Sequence, residues 1–256
     1  MPKTIKTLSI PLVLCTALSL GACSSEQSQM PQDQTHKIAA ESTASPSASP
    51  SASASSSEED PTTPEMATAA GSVIASQLGF PSSAKIKGKD LDSLATPPTD
   101  TLKGIVVLPA QCSAPINDLN WSPVQLGTQA ARTDFTNESQ SITGSVEVAK
   151  LGKDGNASVV QHTKNVKSIL SECKSVKLNT NEYTETLKFS DPKVDSVDSA
   201  LYYSRDGEYA QNSLVLIKKS KEYVAMVSFV ASNSLSDEKF NKVATSVMDA
   251  ALSQLP

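Results

Sequence analysis

A histidine beside a nucleophile, a pair of carboxylates across a cleft, or a cluster of metal ligands are the side-chain sets with which a chain of this size does chemistry. The 256-residue sequence supplies few of them. It has two histidines, His36 and His162. Only His162 lies in chain that patterns as folded. It falls in the opening turn of a helix, between Gln161 and Thr163, and reads as a polar, half-exposed surface residue rather than a general base. No Gly-x-Ser-x-Gly elbow and no Gly-rich phosphate loop occurs. Asp191, Asp195 and Asp198 are the densest acidic cluster. They sit in a Ser/Pro-containing loop, where carboxylates are ordinarily solvated. Hard oxygen ligands on a loop suit calcium, but the spacing matches no EF-hand. The sequence therefore assigns no catalytic residue, no metal and no cofactor, and the chain reads as something other than an enzyme.

The cysteines carry more. There are four: Cys15, Cys23, Cys112 and Cys173. Lys3 and Lys6 form a charged start, Leu8 to Leu20 an apolar run, and Gly21 and Ala22 a small-residue cleavage site, which together make a bacterial secretory signal over residues 1–22. The run is short for a permanent membrane span. Leu20-Gly21-Ala22-Cys23 resembles the lipobox of bacterial lipoproteins. That resemblance implies that Cys23 takes a diacylglycerol and becomes the mature N-terminus, holding the protein at the outer face of the cytoplasmic membrane. The alternative is an ordinary signal peptide that happens to contain a cysteine. With Cys15 discarded and Cys23 acylated, Cys112 and Cys173 remain as an even pair in an oxidising compartment, so they are expected to form one disulfide. A metal site is the alternative, and it lacks further ligands.

Composition divides the rest. Residues 23–61 are Ser, Ala, Pro, Thr, Gln and acids, including Ser45-Pro46-Ser47-Ala48-Ser49-Pro50, with no aromatic residue. Such a segment cannot bury enough apolar surface to repay its ordering entropy and is expected to be a disordered tether, with a glycosylated stalk as the alternative. Residues 62–256 are the size of one domain. The net charge is −5, and no basic patch with interleaved aromatics occurs, so nucleic acid is excluded as a partner.

Elements are readable along the domain. Thr63, Pro64 and Glu65 announce a helix whose apolar stripe is Met66, Ala70, Val73, Ile74 and Leu78, ended by Gly79 and Pro81. Lys85 to Asp90 reads as a short edge strand, and Ile105 to Leu108 as a buried apolar segment. Pro115 to Pro123 is a helical turn and loop holding the single tryptophan, Trp121. Gln129 to Phe135 and Ser141 to Leu151 alternate with period two. Ser158 and Gln161 suggest the start of a helix whose face runs through Val159, Thr163, Val166, Leu170 and Cys173. Strands follow at Thr184 to Phe189, Ala200 to Ser204, Ser213 to Lys218 and, as a central strand, Tyr223 to Val230. Ser236 begins a last helix with Phe240, Val243, Val247, Ala251 and Leu252 on one face. Strands joined by tight turns give an antiparallel sheet covered by helices on one face, an α+β fold.

Trp121, in its Pro-flanked loop, is a candidate ligand-cleft residue. So are the adjacent Tyr202 and Tyr203, which must point to opposite faces of their strand. A plain core role competes with this reading for each.

The lipoprotein leader, the Ser/Pro tether, Leu108-Pro109-Ala110-Gln111-Cys112, paired strands, a helix ending in Cys173, a strand series and a terminal helix occur in that order. From about Cys112 to Pro256 this order resembles the extracellular sensor domain of PknH-type receptor Ser/Thr kinases and related small actinobacterial lipoproteins. Those sensor domains carry two disulfides and this chain has cysteines for one, so no ligand residue is transferred. The resemblance implies a non-enzymatic, ligand-binding or sensor-like module on a Gram-positive membrane, with a small envelope ligand or an envelope protein as partner. A carrier of lipid or another apolar envelope molecule is the runner-up. An envelope hydrolase comes third, for want of an acid and a histidine.

Overall fold

A computed structural model describes residues 63–126, 129–207 and 210–256. The signal peptide, Cys23 and the tether lie outside the described residues. The elements run α1 (Thr63–Gln77), β1 (Ser82–Ile86), α2 (Lys89–Ala95), β2 (Val106–Leu108), α3 (Ser113–Asn117), β3 (Ala130–Thr136), β4 (Ile142–Lys150), α4 (Gly155–Glu172), β5 (Ser175–Asn179), β6 (Thr184–Ser190), β7 (Ser199–Arg205), β8 (Gln211–Ser220), β9 (Tyr223–Ala231) and α5 (Glu238–Leu252). Short 3-10 turns at Ala110–Cys112 and Pro123–Gln125 flank α3 and its loop.

The strands form one nine-stranded antiparallel sheet in the order β1-β3-β4-β9-β8-β7-β6-β5-β2. The α+β class and the antiparallel sheet are those expected. The helices, however, cover both faces rather than one. Side chains alternate along each strand, and β9 shows both sets: Ala225, Val227 and Phe229 pack with α1 and α5, while Val224 and Met226 pack with Val159 of α4. Toward β5 and β6, Val166 and Ile169 of α4 continue that second face over Leu187 and Leu201. A sheet buried on both sides needs apolar residues at successive positions, which is why β9 reads as a nearly unbroken apolar run.

The first helix packs on a different face from the one its large residues suggest. Ala67, Gly71 and Ala75, spaced four apart, are buried, whereas Met66 and Leu78 are exposed and Val73 is 55% exposed. The reason is the closeness of approach. A Cβ on Gly71 would stand 3.3 Å from both Val146 Cγ2 and the Val247 carbonyl oxygen, so small residues are what let α1 reach the sheet and α5.

Two other expectations change. The segment Ile105 to Leu108 contributes β2, an edge strand with Val107 buried and Val106 and Leu108 exposed. The strand expected at Lys85 to Asp90 lies earlier, at β1, and its latter half opens α2. β5 escaped the sequence reading, although Val176 and Leu178 alternate inward.

Among the described residues no helix is long and apolar enough to cross a membrane.

Candidate functional site

The loop between α3 and β3 carries Trp121, and four sets of contacts hold it in place. Cys112 and Cys173 are bonded, joining the turn before α3 to the C-terminal end of α4. Asn165 of α4 donates its Nδ2 to the Pro115 carbonyl at 2.8 Å. Trp121 donates Nε1 to Ser158 Oγ at 3.3 Å. Next along the chain, Ser122 donates to Glu147, whose other oxygen accepts from Arg132 Nη1 at 2.7 Å. Glu147 is wholly buried, and Arg132 also donates Nε to Asp134 at 2.6 Å. A buried carboxylate needs both a counter-charge and hydrogen-bond donors, and this one has Arg132 and Ser122.

These contacts also correct the reading of α4. The helix begins at Gly155 rather than at Ser158, so Ser158 is a helical residue that accepts from Trp121 and does not cap. His162 lies on the buried face with Val159, Asn165, Val166 and Ile169. His162 is 8% exposed, not half-exposed. Its ring stacks on the Trp121 indole with centroids 4.6 Å apart and planes inclined by 21°. Burial pushes the imidazole down to about 4, so it is neutral at pH 7. Its Nδ1 has no hydrogen-bond partner.

The stacked pair is a wall shared by two clefts. The inner one lies between α4 and the sheet and has a cavity volume of about 30 Å³. Leu119, Val166, Leu201, Val215 and Met226 make it largely apolar, and Ser199, Ser213, Ser228 and the Tyr203 phenol interrupt that lining. The outer groove lies among the Pro97-Pro98 loop, the α3 loop and α4, with a volume of about 380 Å³. Its lining is dominated by primary amides, with Asp118 its single carboxylate and no lysine or arginine.

The sequence candidates separate accordingly. Trp121 and Tyr203 come together at the inner cleft. Tyr202 points to the opposite face, packs against the cluster beneath α1 and α5, and donates its hydroxyl to Asn212 Oδ1 at 2.7 Å. Sequence reasoning missed the amides Asn117, Asn120, Gln125, Gln161 and Asn165, because scattered Asn and Gln carry no spacing signal. It also set His162 aside as a surface residue. The clue it passed over was the apolar residue three before, Val159, together with Val166 four after.

No carboxylate lines the inner cleft, and none orients the imidazole through Nδ1, as a general base requires. In the acidic loop, Asp191 is held below the usual carboxylate range by its side-chain hydrogen bond with Lys193, and Asp198 accepts from the Lys219 amide at 2.6 Å. Among the described residues no group of three His, Cys, Asp or Glu side chains is placed to hold a metal ion.

The fold and groove describe a disulfide-tied α+β domain with a polar cleft beside a helix. Among the solved structures similar to it are two from mycobacteria. One is the extracellular domain of PknH from Mycobacterium tuberculosis, at 13% identity and TM-score 0.40, covering 71% of this chain and 91% of that one. The other is an uncharacterised protein from Mycobacterium smegmatis, the Rv0999 ortholog, at 16% identity and TM-score 0.45, covering 76% and 99%. No family model matches the chain, and no curated protein matches it.

Proposed function

We propose that the chain is a membrane-anchored extracytoplasmic lipoprotein whose folded domain binds a small envelope ligand in sensor-like fashion, without transforming it. In this reading residues 1–22 are the signal peptide, Cys23 carries the lipid, and residues 23–61 tether the domain that follows. The Cys112–Cys173 disulfide is in keeping with an oxidising compartment. The observation that carries the binding reading is the Trp121–His162 stack: an aromatic pair, set in place by a disulfide and a buried ion pair, walls an open groove, and its imidazole Nδ1 has no hydrogen-bond partner. The groove beside this pair is the ligand site. The second reading, an apolar carrier, has the apolar inner cleft in its favour. Against it stand the cleft's smaller space and its seam of buried hydroxyls.

Two measurements test the proposal. Labelling with radioactive palmitate should mark the native protein, and Cys23→Ser should lose the label and release the protein to the medium. A mutant that stays labelled and membrane-bound rules the anchor out. Native mass spectrometry of the exported protein should show a small polar adduct that Trp121→Ala removes. Acyl-chain adducts in its place would favour the carrier.

A further inference from the structure

We infer that the outer groove takes a neutral, polyhydroxylated ligand, a short glycan segment, a conclusion that rests on the reading of this groove as the ligand site. Charge excludes the first alternatives. An anion would find no lysine or arginine in the lining and would meet the Asp118 carboxylate, while a cation would have that one carboxylate alone. The exposed or half-exposed amides of Gln125 and Gln161 each carry a donor and an acceptor, and a hydroxyl is likewise both.

Two enclosed polar atoms of the groove-lining side chains lack a hydrogen-bond partner. Asn120 uses its Nδ2 on Thr101 Oγ1 at 2.6 Å and on the Asn117 carbonyl at 3.1 Å, which leaves Oδ1 unpaired. His162, more than nine-tenths buried, leaves Nδ1 unpaired. Hydroxyl groups match the amides of the lining, whereas an apolar ligand would leave the donors and acceptors of that lining without partners. Trp121, Leu126 and the Pro97-Pro98 pair supply the apolar contacts against which the C–H face of a sugar ring can lie. An extended peptide is disfavoured because no strand edge borders the groove, so its backbone could not be added to the sheet.

Because Trp121 is the single tryptophan of the chain, its fluorescence reports on this wall alone. The test titrates the full acylated protein, in a detergent without a sugar headgroup, with chitotriose and mannotriose. Glucose 6-phosphate, trialanine and laurate serve as the anionic, peptide and apolar probes. A saturable change in emission with a neutral trisaccharide is expected. Gln161→Ala, at an exposed groove position, should weaken it about tenfold while leaving the melting temperature unchanged. A saturable response to the phosphate, peptide or laurate probe without one to the neutral sugars overturns the ligand class and leaves the site standing. Silence of Trp121 toward every probe overturns both.

Discussion

Trp121 lies almost flat on His162, centroid to centroid 4.6 Å, and each ring depends on the other for its burial. The indole is fixed from the loop side through Ser158, and the neighbouring Ser122 ties the same loop to Glu147. The imidazole comes from the helix side. The pair therefore couples the α3–β3 loop to α4 at the point where both clefts meet.

The stack carries a pH signature. His162 has its folded pKa lowered from 6.5 to about 4, so between those values the unfolded chain binds more protons than the folded one, and stability rises with pH. The contribution is complete above about pH 6.5 and is lost as pH falls through 4, up to about 3 kcal/mol in all. Urea unfolding at pH 7 and pH 4.5 should show this loss. His162→Phe, which keeps a stacking ring, should flatten the difference. An unchanged slope in the variant would assign the pH dependence to other groups.

Glu147→Ala should destabilise by about 3–5 kcal/mol, because the buried Arg132 would lose the carboxylate that its Nη1 engages. Ser122 would also lose its acceptor, so the Trp121 emission spectrum should move in the folded variant. Chemical denaturation followed by fluorescence reads both effects. A loss below 1 kcal/mol would show that water reaches Arg132.

Gly144 faces Phe135 across the β3–β4 pair, and a Cβ there would fall 2.1 Å from the Phe135 ring. That ring belongs to an edge-to-face cluster with Phe80 and Phe229 and has little room to turn. Gly144→Ala is expected to cost about 1–3 kcal/mol by overpacking. Calorimetry of the variant checks this, and a neutral result would mean that the cluster repacks freely.

Replacing Cys112 and Cys173 together by serine removes a cross-link between residues 61 apart and should cost about 4 kcal/mol in the chain-entropy account. The native protein, alkylated without reductant and weighed intact, should show neither thiol modified. Groove binding should fall with the double variant even where it stays folded, since α3 and α4 would no longer be tied beside the groove.

What the chain determined by itself is what short-range physics controls. Runs of apolar and β-branched residues in Ser213 to Lys218 and Tyr223 to Val230 specified strands, because such side chains suit a pleated backbone whatever lies beyond them. The cysteine pair specified its own partner, since two thiols remained once the leader's were set aside. Tertiary structure decided what depends on neighbours distant in sequence. Ala67, Gly71 and Ala75 form the buried face of α1 only because Val146 and Val247 come within contact range, an approach that no hydrophobic periodicity in the helix records. His162 is buried because α4 packs its Val159–Val166 face against the sheet and the loop through Trp121 closes over it. The amides of the groove are polar residues of unremarkable spacing in sequence. They line one groove because the Cys112–Cys173 bond and the Ser122–Glu147 contact draw the α3 loop against the helix, and nearness in space is not encoded by distance along the chain.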